Sequence, residues 1–498
     1  MLSPHVQAGQ AASDILSMND AQLHELRKAL TENSQAMMKG TVGYPQQGTA
    51  YVGGAGGTGN LAPLVPQSIQ NTIDTASFTE SAIKFWNMLT KVNVPGPKYE
   101  VTRRNEYSSD IDKFFGEGSV PGIAEATYER LTFNIKYLAE YIEITDVAAV
   151  TGILGVNAGM LAERTQTGTL GLLGSLERYL FNASSSDSPL QFDGLYKQLR
   201  DGAPNNYTDK RGVGIQFQDL LEDIGAVMAD PNWGNVNTIM VSPEQYQSLS
   251  NQATAHGRHD QRNPAGGTLG FGYKGLELYG PQGGVPIVPC PLMRPIQAPS
   301  TTSKGNNPPN SGALPTSAVT AVSHASSLWG TTDAGTYRYV VIGVGDEGTT
   351  APNNFTSTLL SVAVASGESV KFTITDGAAD SNGKHSGIRY YRVYRGVKDA
   401  TSTDYSAYTF LFNAPANDDG ASNETVFYDH NTKLPNTSPI YLIQNTPDVM
   451  QWIQMIDFMR RPLAQTVTAI PFLLMMFGAL IVKLPRKNWI IDNVPLRF

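Results

Sequence analysis

The sequence predicts an α+β chain interrupted by an all-β module. Three observations carry that reading. Leu172, Leu176 and Leu180 mark one face of a long helix. Apolar residues alternate with polar ones from Leu131 to Tyr141, which marks an extended ribbon. Residues 316–437 hold a run of short alternating segments divided by turn signals, the pattern of a β-sandwich.

Taken in chain order, residues 1–66 read as an N-terminal arm. Leu23, Leu26 and Leu30 suggest one weak amphipathic helix after a cap at Asn19 or Asp20, and a Gly-rich stretch follows. Within residues 67–97, Ile69 to Leu89 reads as helical.

Residues 98–145 read as a long hairpin. Its first arm is polar and charged. Its tip, Gly116 to Gly122, is rich in residues that tolerate positive φ. Its return arm puts Leu131, Phe133, Ile135, Tyr137, Ala139 and Tyr141 on one face, with Leu138 out of phase. An isolated hairpin is marginal in water, so the ribbon needs a surface. Its own domain and a neighbouring subunit both satisfy that need.

Residues 146–190 hold the long helix, from about Val156 to Asn182. Gly168, Gly171 and Gly174 each cost it about 1 kcal/mol against Ala. Close approach of another backbone would justify them.

Residues 191–295 read as an α/β unit. It comprises a helix over Ile215–Met228, a strand over Val236–Val241, a helix start at Ser242-Pro243-Glu244-Gln245, and a short strand at Gly283–Pro289. Residues 296–315 are a linker by composition, and 316–437 are the all-β module. In residues 438–498, Gln444 to Phe458 reads as mixed helical or extended. Pro471 to Pro485 is apolar on both faces and should be central in a sheet.

Composition narrows the function. Charged residues are 16% of the chain, below the globular average of about 25%, and the net charge is −8. No global basic field exists for gripping nucleic acid. The single cysteine, Cys290, excludes an intrachain disulfide and reads as a small buried hydrophobe. The longest apolar stretch is about a dozen residues, short of the about 20 that span a bilayer. The start of the chain has no secretory pattern.

Chemical motifs are weak. Gly54-Ala55-Gly56-Gly57-Thr58-Gly59 matches a dinucleotide fingerprint in letters only, because no strand precedes it and prolines follow. His256 and His259 sit in a Gly-rich loop without an evident third ligand. No catalytic residue, metal or cofactor is expected.

The order of these elements resembles that of the major capsid proteins of tailed bacteriophages, the Hong Kong 97-type fold shared with encapsulins. The similarity lies in Gly116-Glu117-Gly118 near the ribbon tip, the returning Tyr128-Glu129-Arg130-Leu131-Thr132-Phe133 and the long helix. It continues in Met240-Val241-Ser242-Pro243, Gly284-Val285-Pro286-Ile287 and the closing Phe477 to Pro485 run. It covers about residues 70–295 and 440–498. The module at 316–437 resembles an immunoglobulin-like or fibronectin type III domain, on Tyr390-Tyr391-Arg392-Val393-Tyr394-Arg395 and Val426-Phe427-Tyr428-Asp429.

The resemblance implies an extended loop at 98–145 lying over an adjacent subunit, a peripheral-domain spine helix, an axial domain and an outward insertion. It implies self-assembly into hexamers and pentamers of an icosahedral head enclosing double-stranded DNA, held by non-specific contacts. Portal, scaffold or decoration proteins are the further partners. No membrane is involved, and assembly takes place in the bacterial host cytoplasm. Arg103, Arg104, Glu106, Asp112, Lys113, Glu117 and Phe133 are then the candidate inter-subunit contacts. The alternatives are an encapsulin-like nanocompartment shell and an adhesin that binds through its β-sandwich.

Overall fold

The computed structural model describes residues 80–496, except 108–113, 115, 121–122, 124, 147–158, 257–275, 281–282, 295–298, 300–303, 306–315, 346–347, 351–359, 376–387, 400–406, 417–423 and 466–467. The arm helix at Leu23 to Leu30, the Gly54–Gly59 run and the loop bearing His259 lie outside the described residues.

The helices are α1 (Phe85–Met88), α2 (Gly159–Asn182), α3 (Leu195–Gly202), α4 (Phe217–Met228) and α5 (Pro243–His256). Ahead of the module the strands are β1 (Lys91–Asn93), β2 (Lys98–Glu106), β3 (Thr127–Asn134), β4 (Lys136–Thr145), β5 (Tyr207–Asp209), β6 (Thr238–Val241), β7 (Leu276–Gly280) and β8 (Gly283–Pro289). Within it they are β9 (Lys304–Gly305), β10 (Thr316–Ser323), β11 (Gly335–Gly345), β12 (Gly348–Thr349), β13 (Leu360–Val364), β14 (Glu368–Thr375), β15 (Ile388–Arg395), β16 (Thr409–Pro415) and β17 (Glu424–Asp429). After it come β18 (Thr437–Ile443), β19 (Met450–Pro462), β20 (Ala469–Val482) and β21 (Trp489–Pro495).

These elements give an α+β architecture of four principal sheets and one ribbon. The first sheet runs β1-β19-β20-β4, and helix α2 lies across it. β20 is central, as a strand apolar on both faces should be. Leu176 and Leu180 are fully buried and Leu172 is nearly so. Each such side chain contributes about 1.5–3 kcal/mol of burial. Of the three glycines, Gly168 is explained by approach to this sheet, to side chains and not to another backbone: a Cβ there would fall 2.3 Å from Ile142 Cδ1 and 2.9 Å from Leu474 Cδ1. A Cβ on Gly171 would make only ordinary contact, 3.6 Å from Glu140 Oε2.

The second sheet runs β5-β21-β18-β6-β8-β7. Helix α4 buries Leu220, Ile224 and Val227 among its residues. Ser242 and Gln245 form the reciprocal cap at the start of α5, Ser242 N donating to Gln245 Oε1 at 3.0 Å and Gln245 N to Ser242 Oγ at 3.3 Å. Gln245 also donates to the Ser438 carbonyl at 2.9 Å, which ties the helix to β18. Cys290 is fully buried, and burial pushes its thiol up to about 12.

Residues 304–429 build two further sheets, β10-β14-β17 and β16-β15-β11-β12-β9, with β13 paired to β11. Phe372, Ile374, Tyr339, Tyr391 and Val393 share one apolar core between them. The Arg395 guanidinium, 1% exposed, donates to Asp429 Oδ2 at 2.7 Å, and Tyr339 Oη donates to the same oxygen at 3.0 Å. Part of the compositional linker joins this sheet, since Lys304–Gly305 pairs with Gly348–Thr349.

Two elements differ from the sequence expectation, and a third settles on one of its alternatives. The described part of the 69–89 helix is a 3-10 turn, Glu80–Ala82, and the single turn α1. Its backbone donors are taken by the Glu177 carboxylate of α2, and the chain then turns into β1. Of the helical and extended alternatives for Gln444 to Phe458, the extended one holds from Met450, as strand β19. The run from Leu131 to Tyr141 is not one return arm. It breaks at Ile135, whose N–H donates to the Pro97 carbonyl at 2.9 Å, and β4 leaves the ribbon to pair with β20. The buried phase shifts there by one residue. Leu138, Ile142 and Ile144 point inward, while Tyr137 and Tyr141 are 63% and 47% exposed.

Candidate assembly surface

The ribbon of β2 and β3 is a two-stranded sheet, with no third strand paired to it among the described residues. Its register pairs Tyr99 with Phe133, Val101 with Leu131 and Arg103 with Glu129 on one half-buried face. Tyr99 and Phe133 pack against the core of the first sheet, and this anchors the root. The opposite face, with Glu100, Thr102 and Arg104 on β2 and Tyr128, Arg130 and Thr132 on β3, is exposed.

Beyond the paired strands the exposure of apolar groups rises. Tyr107 is 82% exposed, Val120 91% and Ile123 81%. At the tip, Ser119 N donates to the Gly116 carbonyl at 3.0 Å around Gly118, whose φ of +86° suits glycine alone at low cost.

The candidate residues are distributed along this ribbon. Arg103 is satisfied within it: its Nη2 meets Glu129 Oε2 at 2.7 Å. Asn105 and Arg103 both donate to Glu129 and hold its carboxyl below the usual range. The Arg104 guanidinium lies over the Tyr107 ring at 4.3 Å. Glu106 ends β2 exposed, opposite Thr127, and Glu117 is exposed in the tip turn. Phe133 is an anchor at the root. Asp112 and Lys113 lie outside the described residues.

The sequence reading missed what the ribbon lies beside. Lys483, Arg486 and Lys487 come together with Arg103 and Arg104 around a cleft of about 450 Å³. Trp233 stands at its rim, 67% exposed and held at φ +49°. The only sequence signal was the short basic run Lys483 to Lys487, more than 370 positions from Arg103 and Arg104.

Among the described residues no group of three or more His, Cys, Asp or Glu could hold a metal ion, and no helix is long and apolar enough to cross a membrane.

Comparison with known proteins gives a consistent class. The chain is 22% identical over 490 residues to a protein named "Putative major capsid protein" of Enterococcus phage phiEF24C, covering 94% of this chain and 96% of that one. It is 28% identical over 106 residues to the major capsid protein of Staphylococcus phage K, covering 21% of this chain and 22% of that one. No family model matches. Among solved structures, the capsid of a native GTA particle overlaps at a TM-score of 0.42 and 8% identity, over 86% of this chain and 95% of that one. The holo-SrpI encapsulin complex of Synechococcus elongatus PCC 7942 overlaps at 0.41 and 9% identity, over 88% and 95%. Overlap at that level does not decide the fold.

The near full-length sequence relationship makes this chain a structural, shell-forming protein. Within that class it is a relative of the major capsid proteins of phages.

Proposed function

We propose that the chain is the repeating subunit of an icosahedral phage head, built on a Hong Kong 97-type fold, in which the β2–β3 ribbon lies over an adjacent subunit. The observation that carries the reading is the ribbon itself: rooted in the core at Tyr99 and Phe133, unpaired beyond two strands, and ending in exposed Tyr107, Val120 and Ile123. A ribbon of that kind gains order from a neighbour. Many modest contacts, repeated by symmetry, then stabilise a closed shell.

In this reading the subunits form hexamers and pentamers around packaged double-stranded DNA, with portal and scaffold or decoration proteins as partners. The sandwich of residues 316–429 serves as an outward immunoglobulin-like insertion. The subunit assembles in the host cytoplasm and resides in the virion. A cellular nanocompartment is the less favoured reading because the sequence relatives are phage proteins. An adhesin acting through the sandwich is disfavoured because the relationship extends over 94% of the chain.

Negative-stain microscopy of the purified protein tests this. Isometric particles are expected. Deleting residues 104–126 should leave a folded subunit, by circular dichroism, that forms none. Normal particles from the deletion would refute the ribbon's role.

A further inference from the structure

The cleft beside the ribbon is lined by five cationic side chains, Arg103, Arg104, Lys483, Arg486 and Lys487, against one carboxylate, Asp448. Arg103 is paired with Glu129, and Lys483 donates to the Pro447 carbonyl at 3.0 Å. Arg104 rests on an aromatic ring, and Arg486 acts on the Glu129 carboxylate that Arg103 already holds. Five cations against Asp448 and the neighbouring Glu129 leave a net of three positive charges around one concave surface, with exposed aromatic groups, Tyr107 and Trp233, at its edge.

The far part of the ribbon has the opposite character. Between Glu106 and Glu125 the sequence holds five acids, Glu106, Asp110, Asp112, Glu117 and Glu125, against one base, Lys113. Glu106, Glu117 and Glu125 are exposed, and Val120 and Ile123 stand out between them. An acidic segment with apolar knobs matches a basic cleft with an aromatic rim.

We propose that the cleft is the receptor for the ribbon tip of a second copy of this chain. The inference rests on the shell reading and names the surface that receives the ribbon. Tip and cleft are different patches, so the contact is head-to-tail, and a head-to-tail contact closes into rings when its rotation allows. Opposite charges here steer encounter and fix register, and they weaken with salt.

Charge reversal tests it. One variant carries Arg486→Glu with Lys487→Glu, a second carries Glu117→Lys with Glu125→Lys, and a third carries all four. Each two-site variant should fold, by circular dichroism and thermal unfolding, and lose assembly when expressed alone. Arg486→Gln with Lys487→Gln serves as a milder cleft variant should the reversal misfold, and it should shift assembly to lower salt. Particles should return in the four-site variant, and six-membered rings should return when the two reversed subunits are co-expressed, because in an even-numbered ring alternating subunits each meet an opposite charge.

Unimpaired assembly of both two-site variants would overturn the proposal. So would a cleft variant that neither combination rescues, which would point to another polyanion such as nucleic acid. Rescue by the four-site variant without rescue by co-expression would mean that the tip folds onto its own cleft. Wild-type protein that never forms particles would remove the shell reading alone. The pairing is then read by sedimentation, where salt-sensitive self-association supports it and monomers at low salt refute it.

Discussion

Phe85 donates its backbone N–H to Glu177 Oε1 at 2.7 Å, and both residues are fully buried. The other carboxylate oxygen accepts from Trp86 N at 2.8 Å, and Lys84 N also reaches Oε1 at 3.1 Å. One side chain of α2 therefore caps the turn through which the chain enters the first sheet. Glu177→Ala leaves these donors unmatched and should lower subunit stability by about 2–4 kcal/mol. Glu177→Gln keeps an acceptor oxygen and should cost less. Urea unfolding of unassembled subunits checks this, and an alanine variant as stable as the wild type would refute the capping role.

One substitution, Gly→Ala, should act with opposite sign at two positions. A Cβ on Gly478 of β20 would fall 2.2 Å from Trp452 Cζ2 and 2.7 Å from the Ile453 carbonyl, where neither ring nor backbone can yield cheaply. Gly478→Ala should destabilise by about 1–3 kcal/mol. Gly225 lies inside α4, and a Cβ there would meet nothing within 4 Å. Gly225→Ala should stabilise by about 0.5–1 kcal/mol through helix propensity. Denaturant midpoints of the two variants should move in opposite directions.

Asp223 sets a pH dependence. Its Oδ1 accepts from Thr208 Oγ1 at 3.0 Å, its Oδ2 is buried without a partner among the described residues, and burial raises its pKa to about 6. The unfolded value is about 4. A carboxyl with a raised folded pKa favours the native state when protonated, so this contribution is present below pH 4 and lost as pH rises through 6. With solvent screening the loss is about 1–2 kcal/mol. Asp223→Asn should gain on the wild type between pH 4 and 7. A stability difference independent of pH would remove Asp223 as its source.

The legible parts of this fold were local. The Leu172–Leu176–Leu180 stripe, the Ser242–Gln245 cap and the doubly apolar Pro471–Val482 run each carry their pattern within a few turns of chain. The break at Ile135 was hidden, because alternation does not reveal that a strand changes partner sheets. Strand β19 was obscured by Gln451 and Gln454, polar groups only 4% and 5% exposed in a strand interior. The ribbon was legible but its cleft was not, since Arg103 and Arg486 meet only through tertiary structure. The same holds for Asp492, where burial works against ionisation but Lys433 and the Tyr196 hydroxyl overcome it and depress the carboxyl.

The chain leaves and regains the second sheet at one place. Pro289 at the end of β8 pairs with Val241, the last residue of β6, and β18 runs antiparallel on the other side of β6, with Tyr441 opposite Met240. The excursion between Cys290 and Asn436 thus departs and comes home beside the same strand end. Bridging two such neighbouring ends takes only a short span of chain, so the β8-β6-β18 registers set no length for what lies between them.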